Sequence, residues 1–238
     1  TWMFFETFVT AEDHWLPPDN YQEHPIAIVA HRTSPTNMGL ALLANLAAYD
    51  FGYIGGAELI ERTSRALASM QTMERHLGHF YNWYDTQTLR PLTPLYISTV
   101  DSGNLAGHLL TLRAGLLALP DDKIARACVF DGIGDTLALL EDCGGPSGFA
   151  TVPHDASSVE AFTAAVDDAV SSLAVTPGGD IALWSQALIR QCHSASDELH
   201  SWLPAERVHT LRELAVEGSS AQARGMILAL EGLAQQCA

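Results

Sequence analysis

Apolar residues recur at helical spacing through most of the chain, and the breaks in that rhythm mark out its elements. Trp2, Phe5, Phe8 and Val9 form one stripe and predict a helix ending near Val9. Ala11 to Trp15 leaves that helix, and Pro17-Pro18 cannot resume it, since proline lacks the donor and disfavours α geometry for the residue before it. Ser34-Pro35 predicts a helix start, with the hydroxyl as cap and proline at the first helical position. The run MGLALLANLAAYDF then continues to Gly52, a suitable left-handed stop. It is apolar nearly all round, which predicts burial on most sides.

Gly55-Gly56 opens a helix over Ala57 to Leu77, with Leu59, Ile60, Leu67, Met70 and Met73 on one face and Gly78 as its end. Phe80–Tyr84 and Leu95–Thr99 read as short strands joined by the turn-rich DTQTLRPLTP, a β-hairpin near residues 80–99. Asp101-Ser102-Gly103-Asn104 begins the next helix, with Asp101 or Ser102 as N-cap, running to Leu119. Pro120-Asp121 starts another that reaches Asp142. Gly144 to Pro153 is a loop and the clearest internal boundary. Helices at Ser157–Leu173, Gly179–Leu203, Ala205–Val216 and Ser220–Gln236 bring the expected number to about nine. The fold class expected is all-α.

Composition divides the chain without changing that class. Fourteen of its 19 aromatic residues lie before Asp101. Residues 1–120 carry 11 acids and 6 bases, whereas residues 121–238 carry 17 and 6. The expected arrangement is therefore an aromatic, loop-rich part at 1–119 and an acidic helical extension at 120–238. A net charge of −16 disfavours nucleic acid, whose phosphates need a basic surface. No uncharged apolar run reaches the roughly 18 residues of a membrane span. Cys128, Cys143, Cys192 and Cys237 lack the close spacing of a zinc site or disulfide framework, so reduced thiols are expected. The chain has no initiator Met, and Thr1 is read as a cut edge in a longer protein; an N-terminal threonine nucleophile is the sharper but weaker reading.

Candidate chemistry sits where the helical rhythm fails. LPPDNYQEHPIAIVAHRTSPTN, Leu16 to Asn37, holds four prolines and a dense set of polar groups, and long irregular loops of this kind are usually functional. Asp19 and Glu23 are the foremost carboxylates: each could accept sugar hydroxyls, and a pair could act as acid and base, although a turn cap and a solvated surface group would also account for them. His31 and Arg32 bring donors to a helix start, against the plainer reading that Arg32 bridges a structural acid. Asn82-Trp83-Tyr84-Asp85 joins an aromatic face to an amide and a carboxylate. Asp101 and Asn104 flank Gly103 at another helix start, where Asp101 could merely cap. His76 and His79 lie three apart but show no HExxH pattern, and no metal or other cofactor is expected; no GxSxG, Walker A or GxGxxG after a strand is present.

Six blocks in order, TWMFFETFV, LPPDNYQE, AHRTSPTNMGL, DFGYIG, GHFYNWYDTQTLRPL and STVDSGNLAGHL, resemble a region of the bacterial cyclic β-1,2-glucan synthases. The resemblance covers about residues 1–119. It implies the front of a glucoamylase-like (α/α) toroid that cuts and closes linear glucan by transglycosylation, within a large inner-membrane protein and on its cytoplasmic face. It also implies substrate-groove positions for Asp19, Asn20, Glu23, His31, Arg32, Asn37, Asn82, Trp83, Tyr84, Asp85, Asp101 and Asn104. The expected partners are β-glucan and the other domains of the synthase. The family's catalytic acid and base belong to a later section, so no catalytic residue is assigned and this chain alone is expected to be inactive. A non-catalytic helical module binding glucan or a neighbouring domain is the rival reading.

Overall fold

Ser34 starts the central helix as its sequence dictates: its Oγ accepts from Asn37 N at 3.2 Å, and Pro35 is the first helical residue. The protein is described by a computed structural model over residues 2–121, 126–146, 159–171 and 179–202. Expectations for Thr1, residues 147–153, the helices at 205–216 and 220–236, and Cys237 lie outside the described residues. The chain divides into two compact units, Thr1–Asp50 with Gly56–Asp122, and Phe51–Gly55 with Lys123–Ala238.

The first unit contains α1 (Trp2–Phe8), a 3-10 turn at Ala11–Asp13, α2 (Pro35–Asp50), α3 (Gly56–Thr72) and α4 (Thr99–Ala118). Its strands are two residues long: β1 (Tyr21–Gln22), β2 (Ile28–Val29), β3 (Arg32–Thr33), β4 (Arg75–His76), β5 (His79–Phe80) and β6 (Tyr84–Asp85). α2 packs chiefly on α4, and also on α3 and α1. Gly39 allows that approach, because a Cβ there would lie 2.3 Å from the His108 ring. Leu16, Met38, Leu42, Ala66, Met70, Met73, Tyr84, Leu105 and Leu112 form one buried cluster.

The all-α expectation holds, with seven α-helices and short antiparallel strand pairs among the described residues. Local details of the first unit differ in three places. α3 ends at Thr72 rather than Leu77, because Leu77 (φ +50°) and Gly78 (φ +86°) are both left-handed and form the two-residue turn between β4 and β5. Leu77 has no burial to hold it in a helix; it is 88% exposed. The chain does turn back within 80–99, with an antiparallel bridge between Tyr84 and Pro91, but its named strands also pair outside that segment: Phe80 pairs with Arg75, and β6 pairs antiparallel with β3, Arg32 opposite Asp85 and Thr33 opposite Tyr84. Within the turn-back itself, Leu92 N donates to the Trp83 carbonyl and Asn82 N to that of Tyr96, each at 2.9 Å. The N-cap of α4 is Ser98, whose side chain accepts from Asp101 N. Asp101 therefore sits in the first turn, its carboxylate free to reach elsewhere.

In the second unit, α5 (Ala127–Asp142) and α6 (Val159–Ser171) both pack on α7 (Asp180–Trp202). The helix expected from Pro120-Asp121 thus begins later, after a 3-10 turn at Leu119–Asp121. Phe130, Ile133, Leu137, Leu140, Phe162, Val166, Leu188 and Cys192 form its core, an ordinary amphipathic-face solution. Gly52, at φ +75°, passes so close to the Cys128 carbonyl that a Cβ would lie 1.9 Å from its oxygen. Tyr53 OH donates to Asp135 Oδ2 at 3.0 Å.

Candidate functional site

The β3–β6 pair carries the site, and the alternation of a strand's side chains divides its residues between two faces. Thr33 and Tyr84, opposite each other, are fully buried. His31 continues the ladder, its carbonyl accepting from Thr86 N at 3.1 Å, so the 31–86 pair shares the inner side. Arg32 and Trp83 occupy the outer side, with the guanidinium 4.8 Å from the indole centroid.

From Arg32 and Trp83 one polar network spreads in both directions. Arg32 Nε and Nη2 both donate to Asp19 Oδ2, at 3.1 and 2.8 Å. Asn20 Nδ2 lies 3.4 Å from the same oxygen, and Asn37 Nδ2 donates to Asp19 Oδ1 at 3.3 Å. On the other flank, Trp83 Nε1 donates to the amide oxygen of Asn82 at 2.9 Å. The Tyr96 hydroxyl meets that oxygen at 2.7 Å, while the Asn82 nitrogen donates to Asp101 Oδ2 at 2.9 Å. The indole N–H can only donate, and this fixes which way the amide faces. Asp101 Oδ1 accepts from Thr36 Oγ1 at 2.7 Å, and Asn104 Nδ2 donates to that hydroxyl at 3.0 Å.

The fold thus gathers Asp19, Asn20, Arg32, Asn37, Asn82, Trp83, Asp101 and Asn104 from four stretches of sequence. The remaining four go elsewhere. Glu23 is exposed in the segment between β1 and β2. Tyr84 is drawn into the core: its OH donates to the Glu74 carbonyl at 2.6 Å and accepts from Tyr81 N at 2.7 Å. Burial pushes its phenol up to about 12. Asp85 holds its own turn, Oδ1 accepting from Gln87 N, Thr88 N and Thr88 Oγ1. His31 donates from Nδ1 to Asp13 Oδ1 at 2.8 Å on the inner face.

Sequence reasoning passed over Asp13, Thr36, Tyr96 and Thr86. Asp13 is buried and also accepts from Thr86 Oγ1. His14, at φ +54°, donates to the Thr86 carbonyl at 2.8 Å. Thr36 follows a capped Ser-Pro helix start, which was a usable signal; Tyr96 and Thr86 had none, because their partners are distant in sequence.

Chemically, the outer face brings together amides, carboxylates, a guanidinium and aromatic rings, so that hydrogen-bond donors and acceptors lie beside apolar ring surface. Among the described residues no three His, Cys, Asp or Glu side chains are grouped to hold a metal ion.

No family model matches the chain. It is 41% identical over 172 residues to the cyclic beta-(1,2)-glucan synthase NdvB of Rhizobium meliloti (strain 1021), a match covering 72% of this chain and 6% of that protein. The chain is thus similar to a region of that synthase, as the six blocks led us to expect, and the chain spans only a small part of the relative's length. The matching stretch is longer than the 119 residues those blocks cover, so the similarity reaches beyond Leu119. No described helix is long and apolar enough to cross a membrane.

Proposed function

We propose that this chain takes part in cyclic glucan synthesis by holding β-1,2-linked glucan on the outer face of the β3–β6 pair. The observation that carries this reading is the single network joining Asp19, Arg32, Trp83, Asn82 and Asp101. The similarity to NdvB supplies the substrate class. Glucose presents equatorial hydroxyls to amides and carboxylates and an apolar C–H face to aromatic rings, and the network combines both kinds of group. His31 and Tyr84 support that face from the layer beneath it and Asp85 from the adjoining turn, while Glu23 stands outside the network.

In the parent protein the segment forms the front of an (α/α) toroid on the cytoplasmic face of the inner membrane, in company with the other synthase domains. There a general acid protonates the glycosidic oxygen and a base activates the attacking hydroxyl through an oxocarbenium-like state. The carboxylates of this cluster are already engaged by protein donors, Asp19 by Arg32 and Asn37, Asp101 by Thr36 and Asn82. Their role here is to shape and hold rather than to transfer the proton. That same engagement favours, as a second reading, a glucan-binding module without chemistry of its own.

Titration of the chain with linear β-1,2-glucan, followed by tryptophan fluorescence and compared with β-1,3-glucan, tests the binding. Saturable quenching by the β-1,2 polymer alone is expected. Equal responses to both, or none, would remove the reading. Mass spectrometry of the glucan after incubation separates the two roles, since new chain lengths would show that the chain itself catalyses.

A further inference from the structure

Both ends of Tyr96 are bonded to one residue. Its carbonyl accepts from Asn82 N at 2.9 Å, and its hydroxyl donates to the Asn82 amide oxygen at 2.7 Å. Asn82 is itself buried, 6% exposed, and held by Trp83 and Asp101. Yet Tyr96 remains 47% exposed. An isolated exposed aromatic residue needs no explanation, but an exposed ring pinned at its backbone and at its hydroxyl is unusual. The pinning removes most of the freedom the ring would otherwise lose when a ligand covers it.

Trp83 is differently placed. One face of its indole carries the Arg32 guanidinium, and its N–H is engaged by Asn82. A sugar stacking on that face would have to displace a cation that is itself held by two bonds to Asp19. Trp83 thus has one face taken by a cation and is half-buried, whereas Tyr96 is 47% exposed, and both are fixed by the same amide oxygen. They necessarily lie close together.

We infer that the ring of Tyr96 is the stacking platform for a glucose unit of the bound glucan, with Asn82 as its positioning residue, and that Trp83 acts through Arg32 instead of stacking. This rests on the glucan reading above and assigns it a residue that no local sequence pattern marks. The pyranose C–H face packs against the open face of the phenol ring, while Arg32 and the polar groups around Asp101 meet hydroxyls at its edge. Contact of this kind is mainly area removed from water plus dispersion, so it depends on the flat ring rather than on the hydroxyl.

The test is titration of linear β-1,2-glucan oligosaccharide against the full 238-residue chain and its Tyr96→Ala, Tyr96→Leu, Tyr96→Phe and Asn82→Ala variants, with binding heat as readout and circular dichroism to confirm folding. Tyr96→Ala and Tyr96→Leu should each bind about tenfold or more weakly, equivalent to about 1.4 kcal/mol. Tyr96→Phe should stay within about threefold, because it keeps the ring and the main-chain anchor. Asn82→Ala should fall between them. Folded Tyr96→Ala and Tyr96→Leu variants that bind like the unaltered chain would overturn the platform and leave the glucan reading intact. Absence of binding by the unaltered chain would overturn the glucan reading, and the platform with it.

Discussion

Arg32 directs two hydrogen bonds, from Nε and Nη2, to a single oxygen of Asp19. Those residues are thirteen apart in sequence, and the bonds hold the guanidinium over Trp83, 4.8 Å from the ring centroid. A guanidinium can donate along one edge and stack on a ring at the same time, whereas an ammonium is a point charge and cannot. Arg32→Lys should therefore weaken glucan binding about tenfold, the order of one charge-assisted hydrogen bond. Thermal unfolding should change by less than about 1 kcal/mol, because Arg32 is half exposed and the pair is screened by solvent. Unchanged affinity in this variant would show that the arginine geometry is immaterial to the ligand.

Tyr84 gives a pH signature. Burial raises its phenol from 10.0 to about 12, so the fold favours the neutral form. A group whose native value is raised contributes fully below its unfolded value. That contribution persists up to pH 10 and is lost as the pH climbs from 10 to 12. Tyr84→Phe removes the donor to Glu74 and the acceptor for Tyr81 N, at a cost of about 1–3 kcal/mol at neutral pH. Urea unfolding across pH 7–12 should show the stability gap between the two proteins narrowing over that alkaline interval. A gap that widened there would contradict the assignment.

Asp13 is a buried carboxylate that accepts from His31 and from Thr86. Asp13→Ala leaves both donors without this partner and should destabilise the first unit by about 2–3 kcal/mol. Thr86→Val removes one bond at nearly constant shape and should cost less, about 1 kcal/mol. Denaturant unfolding followed through Trp15 and its neighbours reads both, and a larger effect from Thr86→Val would reverse the order of importance.

Gly52 combines a left-handed backbone with a Cβ position inside the Cys128 carbonyl. Gly52→Ala should destabilise by more than about 2 kcal/mol, since backbone strain and a main-chain clash act together. Gly78 is the control: it is also left-handed, but a Cβ there meets nothing within 4 Å. Gly78→Ala should therefore cost only about 1 kcal/mol. Equal melting temperatures for the two variants would remove the steric part of the argument.

Cys192 is fully buried in the second unit, and its thiol is pushed up to about 12, by burial first and by the charge of Asp167 second. Cys128 and Cys143 are partly exposed. Iodoacetamide at neutral pH should modify the latter two first and reach Cys192 only on unfolding, which peptide mass spectrometry can follow. Early alkylation of Cys192 would show that its helix opens locally.

The helices were legible because their causes are local. Ser34-Pro35 carries its cap and its first-turn geometry in two adjacent residues, and α2 begins there. The apolar runs at α5, α6 and α7 have the spacing of a buried helical face, and the structure places helices in each. α3 was over-extended because a two-residue turn at Leu77-Gly78 leaves little trace when the flanking strands are only two residues long. Ser98 was missed as a cap because Asp101 and Ser102, three and four residues on, are equally good capping types.

By itself the sequence determined the helical class, the polar stretches that interrupt it and most of the residues those stretches contribute. It also carried the likeness to one region of a cyclic glucan synthase. Only the tertiary structure decided which polar residues meet. The β3–β6 register put Arg32 and Trp83 on one face and sent Tyr84 into the core, while His31 went to the side of Asp13. It also brought Asn82 within reach of Tyr96 and Asp101. Capping and amphipathic spacing act within a few residues, whereas strand pairing and side-chain networks join segments far apart in the chain, and no local pattern records such partners.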